Sequence, residues 1–173
     1  MLYEESVTVP MIICWKDVIQ ADVVDKTHLV SGLDIFPTVC DYADLEVPKD
    51  IRGISLRPLI ENPHLNGRDF LVAELQAFKN QPERAGRMVR SQRYKYIVFS
   101  YGENPEMLFD LEADPGETQN LVHYSTMQSE LIRHRHLLNK WIIETKDDFK
   151  KCCSSPEQHY NQEREKHDPQ STP

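Results

Sequence analysis

One stretch near the end of the chain, residues 125–146, limits the possible folds more than any other. Met127, Leu131, Leu138, Trp141 and Ile142 recur there at helical spacing, which places an apolar stripe along one face of a helix. Ser125 and Gln128 stand at capping-box spacing, so the helix is expected to start between them. The charged and histidine residues at 133–136 are expected to occupy mainly the remaining surface. An amphipathic helix draws most of its stability from burying its stripe against another layer. The rest of the chain has to supply that layer.

Segments upstream carry strand patterning. Residues 70–75 predict a strand, and residues 76–86 a polar loop containing Pro82 and Gly86. Residues 88–100 alternate through Tyr94, Tyr96 and Val98, which suits an antiparallel strand. The turn Gly102-Glu103-Asn104-Pro105 precedes a further strand at 107–111, and Asp114-Pro115-Gly116 turns the chain again. Residues 67–146 are therefore expected to form a small α+β subdomain with an antiparallel sheet and one long helix.

The first 66 residues are patterned differently. Residues 9–15, V-P-M-I-I-C-W, form an unbroken apolar run, as expected for a strand covered on both faces in a parallel sheet. Asp34 is placed to cap a helix with Pro37 in its first turn. Ser55 is placed to cap a short helix through Ile60. Residues 1–66 are expected to be the end of a larger α/β domain. From Asp147 the chain turns polar and unpatterned, so 147–173 is expected to be a disordered tail.

The 173 residues carry a net charge of -8, which disfavours nucleic acid as a partner. No apolar run approaches the roughly 18 residues needed for a membrane span. The four cysteines have no metal-ligand spacing. Cys14 and Cys40 are expected to be buried thiols, and no role is assigned to Cys152 or Cys153. His134 and His136 stand two apart, point in different directions on a helix and cannot jointly hold a metal. Arg93 and Lys95 flank Tyr94 and are expected on an outward strand face. Glu4 and Glu5 are expected to be structural, and Asp114, Glu117 and Asn120 to serve turns.

Five segments occur in one order that resembles the sulfatase family. They are Tyr3-Glu4-Glu5-Ser6 with Val9-Pro10; Asp34-Ile35-Phe36-Pro37-Thr38; Gly53-Ile54-Ser55-Leu56-Arg57-Pro58-Leu59; Arg87-Met88-Val89-Arg90 leading to Tyr94-Lys95-Tyr96; and Phe109 to Leu121 with its D-P-x-E-x-x-N-L run. The likeness is to the C-terminal portion of arylsulfatase and N-sulfoglucosamine sulfohydrolase-like enzymes. It implies a truncated alkaline-phosphatase-like α/β domain over 1–66, followed by the family's α+β C-terminal subdomain over 67–146. Gly32, and Lys16-Asp17 after Trp15, depart from the common family pattern.

The resemblance implies a sulfuric ester hydrolase acting on a sulfated carbohydrate. In that family a formylglycine, made from C/S-x-P-S-R, is the nucleophile, and calcium neutralises the sulfuryl oxygens. Neither is expected in this chain. Cys14 is followed by Trp-Lys-Asp and Cys40 by Asp-Tyr-Ala. The family's acidic metal ligands and active-site lysine precede the Tyr-Glu-Glu-Ser segment. Asp147-Asp148 lies past the last helix, in the wrong place for the metal. No catalytic or metal residue is therefore carried onto the chain, which is expected to be inactive alone and to partner a missing upstream sulfatase domain. Periplasmic, extracellular or lysosomal location is a family expectation for the parent enzyme.

What remains is substrate recognition. The loop Gln76–Gly86 and its flanks offer Glu74, Lys79, Arg84 and Arg87, whose lysine and arginine heads suit sulfate or carboxylate groups on a sugar. Two other readings stay open: a non-catalytic fragment or binding module, and a related phosphatase or phosphonate hydrolase. Without sheet neighbours the run at 9–15 is expected to cause self-association, relieved by keeping about residues 67–146.

Overall fold

The computed structural model describes residues 2–76, 85–100, 102 and 104–149. Four strands form one antiparallel sheet in the order β1-β2-β3-β4: Phe70–Gln76, Ala85–Ser91, Tyr94–Phe99 and Glu106–Asp110. Short helices α1 (Glu4–Val7), α2 (Ile35–Tyr42) and α3 (Arg57–Glu61) precede the sheet, and α4 (Gln128–Thr145) follows it.

Strand alternation sends successive side chains to opposite faces, and both faces are covered. On one, Val89, Tyr96, Val98 and Leu108 pack with Leu131 and Leu138 of α4. On the other, Met88, Ile97 and Phe109 pack with Leu2, and Tyr3 and Val7 border them. Each fully buried Leu or Val side chain contributes roughly 1.5–3 kcal/mol relative to exposure.

Residues 88–100 are two strands, with Gln92-Arg93 as the turn between them. No Gly, Pro, Asn or Asp marks that turn. The Ser91 hydroxyl makes it instead, donating to the Tyr94 carbonyl at 3.1 Å and accepting from the Tyr94 N–H at 3.3 Å. The run at 9–15 forms no strand. Ile12 is 89% exposed, and no segment among the described residues pairs with the run; a strand needs a neighbour for its backbone groups. Cys14, expected to be buried, is exposed, whereas Cys40 is buried.

Helix starts also differ in detail. Asp34 holds the N-cap position of α2 but makes no side-chain cap bond there. Its carboxylate is instead the third-position acid of a capping box on the preceding 3-10 turn, where Ser31 accepts from Leu33 N–H and Asp34 accepts from Ser31 N–H at 2.7 Å. The same buried carboxylate accepts from Ile54 N–H at 2.9 Å and from Arg68 at 2.5 Å. It thus joins three loops. Gly53 completes this crossing, because a Cβ there would collide with the Leu33 carbonyl. Leu56, not Ser55, holds the N-cap position of α3; Ser55 stands one residue earlier, and its hydroxyl accepts from Arg57 N–H at 3.1 Å. At α4 no capping box forms. A 3-10 turn at Ser125–Met127 leads into the helix, and the Gln128 amide donates to the Val122 carbonyl at 3.0 Å.

Two expectations about surface residues are corrected. Lys95 is buried, held by Glu4 at 3.0 Å and Glu117 at 2.9 Å. A buried ammonium requires such partners, so α1 and the loop after β4 are tied to β3. Glu117 adopts a left-handed backbone conformation, φ 52°, which is unusual for a non-glycine residue; its carboxylate is what the position needs. His134 is also buried rather than solvated.

Candidate functional site

The β1–β2 connection is one candidate site. Lys79 and Arg84 lie outside the described residues. Glu74 and Arg87 are direct cross-strand partners, yet the structure gives them different roles. Glu74 is exposed and accepts from the Trp141 indole N–H at 2.9 Å. The Arg52 guanidinium sits 5.3 Å from the Trp141 ring centre, within cation–π range. Glu74, Trp141 and Arg52 therefore form a polar and aromatic group near the end of β1. Trp141 had an expected place in the helix stripe. Its indole N–H, which needs a partner when half-buried, was the one sequence hint of this second role.

Arg87 is only 3% exposed. Its guanidinium donates twice to Asp147, at 2.6 Å each, and once to the Gly86 carbonyl at 2.9 Å, while stacking 4.6 Å from the Phe149 ring centre. The fork expected to face a ligand is occupied by the chain itself. Its hydrogen bonds to Asp147 hold that carboxyl below its usual range. Lys146, in the left-handed conformation at φ 56°, ends α4 and turns the chain so that Asp147 reaches β2. The packed chain thus runs to Phe149, three residues past the expected boundary, and Asp147 serves a clasp.

A second candidate lies at the opposite end of the sheet, where Phe70 pairs with Ser91. A cleft of about 430 Å³ opens there, lined by Arg68, Asp69, Arg93, Tyr94, Glu130 and Arg133, among others. Beneath it, His134 lies 3.0 Å from Ser91 Oγ through Nε2, with Nδ1 3.0 Å from the Glu130 carbonyl and 3.2 Å from its carboxylate. This serine–histidine–glutamate order has the distances of a hydrolytic relay. Its chemistry is closed off: Ser91 is buried and its hydroxyl is engaged by the Tyr94 backbone. The network pins the β2–β3 turn to α4. Desolvation pushes the His134 pKa down, against the opposing pull of the Glu130 carbonyl.

The first 66 residues contribute a third polar cluster. The His28 ring bridges the Asp25 carboxylate at 2.5 Å and the Leu65 carbonyl at 2.8 Å. Both partners accept, so the doubly protonated ring fits best and the His28 pKa is raised, chiefly by Asp25. Desolvation pushes Asp25 up, but hydrogen bonds from Thr27 and His28 outweigh it and hold its pKa at about 2.

The described residues contain no group of three or more His, Cys, Asp or Glu arranged to hold a metal ion. The donor set that calcium needs, about six to eight oxygens, is not assembled by them. No helix of the described residues is long and apolar enough to cross a membrane.

The family model described as N-sulphoglucosamine sulphohydrolase, C-terminal, matches residues 1–144. The chain is 35% identical over 150 residues to the Delta 4,5-hexuronate-2-O-sulfatase of Bacteroides thetaiotaomicron, covering 86% of this chain and 31% of that protein. It is 35% identical over 127 residues to arylsulfatase K of Rattus norvegicus, covering 70% of this chain and 22% of that protein. A solved structure of a 2-O GAG sulfatase matches with a TM-score of 0.59 at 36% identity, over 67% of this chain and 25% of the other. The chain spans less than a third of the length of these relatives.

Proposed function

The chain belongs to the N-sulphoglucosamine sulphohydrolase C-terminal family, and from that premise we propose that it is the C-terminal part of a sulfuric ester hydrolase acting on a sulfated carbohydrate. The observation that carries this reading is the 35% identity to a hexuronate-2-O-sulfatase across 86% of the chain. The role proposed for this part is recognition. Glu74, with Trp141 and Arg52 beside it, offers an acceptor, an aromatic face and a cation at one edge of the loop. Such a combination suits a sugar ring and its acidic substituents. Lys79 and Arg84 are proposed to pair with sulfate or carboxylate from within that loop. Arg87 is proposed to act by position, fixing the base of β2 through Asp147 rather than touching the sugar.

The nucleophile and the metal are proposed to come from a sulfatase portion outside this chain. In the parent enzyme calcium and formylglycine supply charge neutralisation and nucleophilic attack. The residues here do not fit either group, since C/S-x-P-S-R is missing from the sequence and the described residues assemble no metal cluster. No step is therefore assigned to this chain. The exposed apolar residues Ile12, Val24 and Val39 are proposed to pack against that sulfatase portion.

Steady-state kinetics of the parent enzyme test the recognition role. Lys79→Gln with Arg84→Gln is expected to raise KM for a 2-O-sulfated uronate disaccharide roughly tenfold with kcat little changed, the pattern of lost uniform binding. Unchanged KM would remove the loop from the substrate site. Faster turnover of a phosphonate ester than of the sulfated sugar would remove the sulfatase reading.

A further inference from the structure

The cleft at the Ser91 end of the sheet is left unused by the proposed function. We infer that it is a second carbohydrate site, which holds an acidic sugar unit remote from the β1–β2 loop. Three observations carry this. First, three guanidiniums converge on one cleft in a chain whose net charge is -8. Two of them are fixed from behind by inward-facing carboxylates: Arg68 by Asp34 at 2.5 Å and Arg93 by Asp110 at 2.9 and 2.6 Å. Those partners orient the forks without occupying all five donors that each guanidinium carries. Arg68 Nε is buried and has no hydrogen-bond partner among the described residues. Such an orphan donor is costly unless something accepts from it.

Second, the lining is mixed. Asp69 and Glu130 share the cleft with the arginines. A bare inorganic anion gains nothing from carboxylates. A sugar does, because its hydroxyls donate to Asp69 and Glu130 while its sulfate or carboxylate takes the guanidinium forks. Tyr94 adds a half-buried ring, with the Arg93 guanidinium 5.2 Å from its centre. The volume, about 430 Å³, falls in the usual range for small-ligand sites.

Third, the cleft is remote from the loop. β1 runs from Phe70 at the cleft end to Gln76 at the loop end, on the order of 20 Å at the usual rise per residue. One oligosaccharide reaching both places would gain binding energy from a unit that does not react. The acid-recognition chemistry stands on the geometry alone; the choice of a glycan as its carrier rests on the proposed function.

The test is a biosensor titration of the full 173-residue chain, immobilised sparsely so that copies do not meet. The probe is a tetrasaccharide of alternating uronate and sulfated glucosamine. Its desulfated counterpart separates sulfate from carboxylate recognition, and a neutral glucose tetrasaccharide is the control. Gln92 also lines the cleft, and Arg133→Gln and Gln92→Glu are surface changes: Gln92 is exposed, and the Arg133 side chain is 49% exposed and pairs with Glu130. Saturable binding of the acidic probe is expected, with roughly tenfold weakening by Arg133→Gln, the size of one charge-assisted hydrogen bond. Gln92→Glu is expected to weaken it similarly, and the neutral probe not to bind. Lys79→Gln with Arg84→Gln gives the separating arm. Binding that is lost with the loop pair but unchanged in Arg133→Gln and Gln92→Glu would overturn the cleft and leave the loop reading intact. Absence of saturable binding by either acidic probe would also overturn the cleft, while the sulfatase reading would still be decided by turnover of the parent enzyme.

Discussion

Residues 67–149, with residues 2–7 packed on them, and residues 8–66 use the same apolar residue types to opposite effect. In the later region Val89, Ile97, Val98 and Leu108 are fully buried, because α4 covers one face of the sheet and residues 2–7 cover the other. In the earlier region Ile12, Val24, Phe36 and Val39 face outward. That region is held by directional ties: the Asp34 carboxylate, the close crossing at Gly53 and the His28 bridge. Apolar composition alone therefore does not make a core. A core needs a second layer, and among the described residues only the sheet has one.

The strongest challenge to that contrast is Arg87→Ala. It strands the Asp147 carboxylate, whose side chain is 6% exposed, and is expected to cost about 3–5 kcal/mol. Urea denaturation measures it, and a cost near zero would mean that the clasp after α4 carries no stability. Next, Leu138→Ala should cost about 2–5 kcal/mol, whereas Val39→Ala should stay within about 0.5 kcal/mol. Equal costs would erase the difference between the regions.

The two histidines sharpen it further through opposite pH responses. The His134 pKa is lowered in the folded protein. The unfolded chain therefore binds the proton first as pH falls below about 6.5, and stability of the sheet and α4 should drop there. The His28 pKa is raised, so its tie is intact at low pH and is lost as pH rises through that raised value. Hydrogen exchange near Leu65 would report the second change, and thermal melting the first. His134→Gln should flatten the acid limb of the melting profile; an unaltered limb would place the acid sensitivity elsewhere.

The smallest effect concerns association. Ile12→Ser with Val24→Ser should reduce concentration-dependent growth in sedimentation mass, as smaller exposed apolar patches do. Cutting the chain to 67–146 is no longer expected to help, since it removes Leu2, Tyr3 and Phe149 from the two cores. A monodisperse unsubstituted chain would contradict the outward apolar face.

The pattern of strands and the long helix was legible because their periodicity is local. Ser91–Tyr94 was not, since that turn is made by a hydroxyl and carries no turn-forming residue type. Lys95 and His134 looked like surface residues because their partners, Glu4, Glu117 and Ser91, are distant in sequence. Glu74 and the residues at 77–84 are proposed as a site on position alone. The arginine cleft was not, because Arg68, Arg93 and Arg133 meet only after β1, the β2–β3 turn and α4 come together.

The central claim is that this chain is the recognition end of a sulfatase whose chemistry lies in residues outside it. Sequencing the native transcript upstream of Met1 tests that most directly. The account predicts an in-frame extension carrying C/S-x-P-S-R, acidic metal ligands and a lysine shortly before Tyr3. A stop codon just upstream, with no longer transcript, would contradict it and leave a binding protein without turnover.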